Sequence, residues 1–229
     1  ISYRLTKSST GNKTTIVPNY VTESGFTTDI PARTKVGEIA GSSEFFIYDR
    51  ERDTVLAIKT DSIPGIYDLP DYVKDYPKQS EEKTKKPSPR SVNVYGPYWS
   101  PNGEHAVVEI RSDDNKDRWL MLRDTATNKL KLLDRQRDEA WISGPGTFGI
   151  LGWVNDNSFC FQSEATGYSH IYLMNVASSE KRALTEGKYE VQKAQLSIDK
   201  KFFYSSTNEV HPGEQQFSRL NIATGKKEK

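Results

Sequence analysis

Tyr95-Gly96-Pro97-Tyr98-Trp99-Ser100-Pro101-Asn102-Gly103 opens the stretch that decides the fold. Pro-Asn-Gly is a tight turn, because Pro presets φ and Gly accepts φ > 0. Ala106-Val107-Val108-Glu109-Ile110 follows as a strand, and Ser112-Asp113-Asp114-Asn115 as a polar hairpin turn. Trp119-Leu120-Met121-Leu122 is the next strand, Asp124-Thr125-Ala126-Thr127-Asn128 the next turn, and Leu130-Lys131-Leu132-Leu133 the strand after it. Short β-rich runs separated by turn residues define an antiparallel meander.

The same order returns twice. Gly152-Trp153-Val154-Asn155-Asp156-Asn157 leads into the strand Ser158–Gln162, the turn Glu164–Gly167, the strand His170–Met174, the turn Ala177–Ser179 and the strand Lys181–Thr185. A third copy runs from Ala194 through Phe202–Ser205 and Gln216–Ile222 to the turn at Thr224-Gly225. Matching turns start near Pro101, Asn155 and Ile198, offsets of 54 and 43 residues. A period of about 40 to 50 residues with four short strands each marks a β-propeller blade. One such unit cannot bury its own faces, so neighbours must stack. An ordinary β-sandwich with similar turns is the alternative.

Upstream the pattern is less regular. Thr14–Pro18 and Phe45–Asp49 read as strands, and Asp49–Asp53 as the turn into Thr54–Ile58, similar to the outer half of an additional blade. Ile63 to Arg90 holds many prolines and the charge run Glu81–Lys86, and reads as an exposed connection with one short helical turn at Asp71–Tyr76. The organisation expected is an irregular N-terminal blade portion over 1–62, an exposed Pro/Lys-rich connection over 63–94 and regular blades over 95–229. The class is all-β, with about four four-stranded blades of a seven- or eight-bladed propeller.

Composition limits the function. Lys and Arg total 32 against 31 Asp and Glu, a net charge of +1, so no electrostatic surplus points to nucleic acid or acidic lipid. No apolar run approaches the roughly 20 residues of a membrane span. Cys160 is the single cysteine, which excludes an internal disulfide, and it reads as a buried strand residue. Ile1-Ser2-Tyr3-Arg4 has no apolar signal region, and with no initiator Met the chain reads as an excised domain.

No catalytic constellation emerges. The Gly-x-Ser-x-Gly elbow of an α/β-hydrolase is absent. Gly167-Tyr168-Ser169-His170 comes nearest, but adjacent strand residues point to opposite faces and make no dyad. His105, His170 and His211 are too dispersed for zinc. Asp113–Asp117 lacks the Gly and terminal Glu of a calcium loop. No catalytic, metal or cofactor-binding residue is expected, and no cofactor. Asp134-Arg135-Gln136-Arg137-Asp138-Glu139-Ala140-Trp141-Ile142 reads as an ion-pair network between blades ahead of a buried Trp141, or as a rim facing substrate or a partner. Gly144-Pro145-Gly146 reads as a plain loop. Trp99, Trp153 and Tyr168 are expected to fill the space between sheets.

A family resemblance rests on Asp156–Tyr172, with its core Ser163-Glu164-Ala165-Thr166-Gly167-Tyr168-Ser169-His170-Ile171-Tyr172. It continues through Leu184-Thr185-Glu186-Gly187-Lys188-Tyr189-Glu190-Val191 and Tyr204-Ser205-Ser206-Thr207-Asn208-Glu209. Over about Tyr95 to Ile222 this resembles the N-terminal propeller of the dipeptidyl peptidase IV branch of the prolyl oligopeptidase family. Arg135–Ile142 looks like the bacterial members. The resemblance implies a propeller stacked on a C-terminal α/β-hydrolase domain that carries a Ser-Asp-His triad absent from this chain. It further implies a serine exopeptidase, periplasmic or secreted, whose propeller gates and positions peptide substrates. An incomplete ring would leave strand edges open and favour homodimers or aggregation.

In dipeptidyl peptidases of this family paired glutamates on a short helix hold the substrate's amino group. Glu81-Glu82 is the only Glu-Glu pair here, it lies in a Lys- and Pro-rich stretch, and the role is not transferred to it. The family's arginine beyond the Asn-Glu strand has no clear match, since Gln215-Gln216 stands in that region. The substrate-binding residues therefore stay unassigned, with oligopeptidase or acylaminoacyl-peptidase activity open. The rival from another class is a non-enzymatic propeller that scaffolds proteins or binds glycans.

Overall fold

The computed structural model describes residues 1–9, 13–35, 38, 41–125, 127–146 and 149–229, which form two compact units, Ile1–Ala57 and Ile58–Lys229. In the first unit β1 (Ser2–Lys7), β4 (Ser42–Asp49) and β5 (Thr54–Ala57) make a three-stranded antiparallel sheet, and β2 (Thr14–Asn19) pairs with β3 (Thr28–Thr34). The expected hairpin of Phe45–Asp49 with Thr54–Ala57 is present. β1 joins its other edge, and Tyr3 stacks on Phe46 at 5.3 Å.

The second unit opens with a 3-10 helix (Asp71–Asp75) and α1 (Pro77–Lys85). Three four-stranded antiparallel meanders follow. The first holds β6 (Val92–Trp99), β7 (Ala106–Ser112), β8 (Asp117–Arg123) and β9 (Leu130–Arg137). The second holds β10 (Leu151–Trp153), β11 (Ser158–Ser163), β12 (His170–Asn175) and β13 (Lys181–Ala183). The third holds β14 (Val191–Leu196), β15 (Phe202–Thr207), β16 (Gln216–Asn221) and β17 (Lys227–Glu228). Of the turn expected at Asp124–Asn128, Ala126 lies outside the described residues. Thr127 N–H donates to Asp124 Oδ1 at 2.8 Å and Asn128 N–H to Asp124 O at 2.9 Å.

The middle sheet is apolar on both faces, which is why β11 and β12 read as unbroken runs rather than alternating ones. Phe159 and Phe161 lie opposite Met174 and Tyr172, and these four pack with Val107 and Leu120 of the first sheet. On the reverse face Cys160 and Ile171 pack with Val191, Phe203 and Leu220 of the third. Hydrogen bonds fix the stacking: Trp153 Nε1 donates to Tyr98 O at 2.8 Å, Arg118 Nη1 to Gln162 O at 2.8 Å, and Arg182 Nη2 to Ile222 O at 2.9 Å.

The stretch read as an exposed connection is exposed only in part. Ile63, Ile66 and Val73 are buried, and Pro64 O accepts the indole N–H of the fully buried Trp119 at 2.9 Å. Gly65, at φ +78°, sits where a Cβ would lie 1.9 Å from Arg135 Nη1, so only glycine meets both the backbone and the contact. The charge run read as a loop is mostly α1. Pro77 marks a start rather than a break, because proline at the first helical turn loses no hydrogen bond. Glu, Gln and Lys then favour the helix, and Glu81 meets Lys85 at 3.4 Å.

Two measurements check this packing by chemical denaturation. Phe159→Ala, or independently Phe203→Ala, is expected to cost about 3–5 kcal/mol, since each ring is fully buried between two sheets. A loss below about 1 kcal/mol would mean that the sheets do not stack through these faces.

Candidate functional site

The site lies where the β7–β8 hairpin, the end of β9 and the β11–β12 hairpin come together. Arg135 and Arg137 are two apart on β9 and so share a face. That face meets Asp117 at the start of β8, whose side chain is 0% exposed. Arg135 Nε donates to Asp117 Oδ1 at 2.8 Å and Arg137 Nη1 to Asp117 Oδ2 at 2.6 Å. Arg90, arriving from the connection, also donates to Asp117 Oδ2 and forms a fork with Asp114 at 2.7 and 2.9 Å. The remaining guanidinium edges are spent outward: Arg135 on Asp68 at 2.7 Å, Arg137 on Glu139 at 2.5 Å. The guanidiniums of Arg90 and Arg135 also lie over the Trp119 ring, at 6.0 and 5.6 Å from its centroid.

Of the charges expected to form a network between blades, one pair does so: Asp134 bridges to Lys181 of β13, in the second sheet, at 2.8 Å. Arg135 and Arg137, on the opposite face of β9, centre instead on the one carboxylate of Asp117 within the first sheet and its connection. Glu139 accepts the Asp71 N–H at 2.8 Å. That bond, joined by the Arg137 guanidinium, outweighs the opposing effect of desolvation and holds its carboxyl below the usual range. For Asp114 burial pushes the carboxyl up, and hydrogen bonds from Ser112, the Lys116 N–H and Arg90 outweigh it and lower it.

Above this base lies a cavity of about 340 Å³, walled by Arg135, Arg137, Asp138, Trp141 and, from the second sheet, Glu164. Trp141, expected to be buried, is 64% exposed, because Ile142 N–H donates to Asn115 O at 2.7 Å and leaves the indole at the mouth. Glu164 Oε1 is buried and has no hydrogen-bond partner among the described residues. Burial, and then the nearby Glu190 carboxylate, push the Glu164 carboxyl up. Gly144, read as part of a plain loop, closes on this side chain. A Cβ there would lie 1.7 Å from Glu164 Oε1.

Other singled-out residues serve packing. His170 is buried, with Nδ1 3.1 Å from Thr185 Oγ1 and Nε2 3.0 Å from Gly187 O, while Ser169 Oγ accepts from Gln162 Nε2 at 3.1 Å. The two side chains thus engage different partners. Burial pushes the Cys160 thiol up to about 12, and its Sγ lies 3.1 Å from Gly152 O. Trp153 fills the first intersheet core as expected, whereas Trp99 is 45% exposed. Glu81 and Glu82 are exposed on α1, and Gln215 bonds Ser206 and Gln192 at 2.8 and 3.1 Å. Among the described residues no three His, Cys, Asp or Glu side chains converge as metal ligands, and no helix is long and apolar enough to cross a membrane. Sequence reasoning missed Asp117, Arg90 and Glu164 as members of one site. The only local signal was the alternation of Arg135 and Arg137 beside a β7–β8 turn rich in Asp.

Comparison with known proteins places this arrangement. Residues 71–229 match the family model described as the dipeptidyl peptidase IV (DPP IV) N-terminal region. Dipeptidyl peptidase 4 of Trichophyton equinum is 30% identical over 118 residues, which are 49% of this chain and 15% of that protein. The same-named protein of Arthroderma otae is 27% identical over 118 residues, again 49% and 15%. The chain thus spans only a minor part of these relatives. The crystal structure of Porphyromonas gingivalis dipeptidyl peptidase 4 superposes with a TM-score of 0.64 at 14% identity, covering 99% of this chain and 28% of that one. With more than half its length in the family model and three stacked meanders matching that fold, this chain belongs to the dipeptidyl peptidase IV N-terminal region family.

Proposed function

We propose that this chain is the non-catalytic propeller region of a dipeptidyl peptidase IV-like serine exopeptidase, and that it gates and positions peptide substrates for a C-terminal α/β-hydrolase domain. The four-stranded sheets are its blades. In this reading the outer face of the third sheet, where the exposed Tyr204 and Phe217 rings stack at 5.9 Å, is covered by a further blade. A periplasmic or secreted setting and self-association through open edges belong to the same proposal.

One observation carries the positioning role: a buried carboxylate oxygen of Glu164 without a hydrogen-bond partner among the described residues, in a side chain on the wall of a cavity with an exposed indole at its mouth. A buried acceptor left unsatisfied costs about 1–3 kcal/mol, and a charged donor recovers that cost. The ammonium of a peptide fits Glu164, and Trp141 offers an apolar, π-faced lip beside it. The Asp117 cluster beneath contributes rigidity, since each of its arginines is held at two or more points.

The test uses the peptidase that contains this chain, with Gly-Pro and Ala-Ala chromogenic substrates carrying free or acetylated amino ends. Glu164→Gln is expected to lower kcat/KM about tenfold or more on the free-amine substrates and to leave the acetylated ones unchanged. Equal values for both enzymes on both substrates would remove Glu164 from substrate binding. Trp141→Ala is expected to raise KM several-fold at unchanged kcat.

Stability gives an independent prediction. A carboxyl raised in the folded state stabilises the fold below its unfolded pKa and loses that contribution as pH rises through the folded one. Glu164→Gln, a neutral mimic, is therefore expected to unfold at higher denaturant than the parent at pH 7. That gap should close below about pH 4, near the ordinary glutamate pKa. A gap independent of pH would show that ionisation of Glu164 is not the cause.

A further inference from the structure

A second cavity, about 250 Å³, lies between the first strands of the first and second sheets, apart from the Glu164 site. Its walls are Tyr95 and Tyr98 of β6, Glu109 and Arg111 of β7, Arg118 of β8 and Leu151 of β10. On a regular strand residues three apart face opposite ways. The β6–β7 register shifts between Tyr95 and Tyr98, and this bulge turns both rings to one wall. Gly96 makes the bulge with φ +98°, and a Cβ there would stand 3.0 Å from the Tyr98 N.

The charges on that wall are unequal. Arg111 and Arg118 sit directly opposite each other across β7 and β8. Like charges in that register repel. Glu109, two residues from Arg111 and on the same face, lies between them. Its Oε1 accepts Arg111 Nε at 2.8 Å and Arg118 Nε at 2.6 Å. The Arg118 side chain is 3% exposed, that of Glu109 5% and that of Arg111 16%. Among the described residues the ionic groups on the wall are thus one carboxylate and two guanidiniums, a surplus of one positive charge in a mostly desolvated place. Burial, and then the Glu109 charge, raise the Tyr98 phenol, so its hydroxyl stays a donor.

We propose that this cavity binds a small carboxylate, held by the Arg111–Arg118 pair and flanked by Tyr95 and Tyr98. Charge-assisted hydrogen bonds from guanidiniums suit a carboxylate, and one surplus charge suits a monoanion better than a doubly charged phosphate. The proposal does not depend on the peptide-positioning reading, since it uses another cavity and other residues.

Calorimetric titration of the protein with propionate, its neutral isostere propionamide and inorganic phosphate tests it. Saturable binding of propionate, no binding of propionamide and weaker binding of phosphate are expected. N-acetylglutamate amide identifies the source: binding as tight as propionate means that the cavity admits a carboxylate on a peptide, and exclusion means a free acid. Arg111→Gln is expected to weaken propionate about tenfold. Glu109→Gln is expected to tighten it, because the competing anion is gone. A site in which these residues merely hold the fold would lose binding in both variants, and that result overturns the proposal. So does equal binding of propionate and propionamide, or none of propionate. Should Arg111→Gln fail to fold, the direction of the Glu109→Gln change decides alone.

Discussion

A single buried carboxylate organises the first sheet and the segment before it. Asp117 has no exposure of its own, and without partners its charge would be costly in the interior. Three guanidiniums offset that cost. They come from two distant places in the chain: Arg90 before β6, and Arg135 and Arg137 on β9. The ion cluster therefore does topological work. It ties the segment that precedes the sheet to the sheet's last strand, beside a tryptophan that packs under two of the arginines. Apolar burial alone is non-directional and would not fix that register.

The rim inherits its shape from this constraint. Arg137, fixed on Asp117, places Glu139 where the Asp71 N–H can reach it. Lys116 holds the carbonyls of Glu139 and Ala140, and the chain then turns Trp141 toward solvent. Across the cavity the second sheet presents Glu164 beneath Gly144. The position of each wall is thus set by packing further inside, which is how a repeat architecture holds loops of low intrinsic order.

The two cavities differ in what is left over. At Glu164 one carboxylate oxygen has no donor among the described residues, while around Arg118 two guanidiniums share one carboxylate. Both lie at junctions between the first and second sheets, and both depend on glycines that allow backbone or side chains to approach closely, Gly144 in one and Gly96 in the other. Substitution at either glycine would change a site without touching a charged group.

Much of the architecture was legible in the residues themselves. Turn residues and short β-rich runs are local signals, and their recurrence near Pro101, Asn155 and Ile198 marked the meanders that the structure contains. The Ser163–Tyr172 string carried the family. Tertiary structure decided the rest. Trp141 was expected inside and lies outside, because exposure depends on what a loop hydrogen-bonds, here Asn115, and not on hydrophobicity. Ile63, Ile66 and Val73 were hidden in a stretch whose prolines and charges dominate its average, yet each is buried once the chain folds. Asp117 and Glu164 were ordinary acidic residues in hairpins. What distinguishes them is burial and partners brought from distant parts of the chain, or in the case of Glu164 Oε1 the lack of one among the described residues. Local propensity and period are written into consecutive residues, so the sequence alone determined the meanders. The electrostatics of a site arise from groups tens of residues apart, and only the tertiary structure sets their distances.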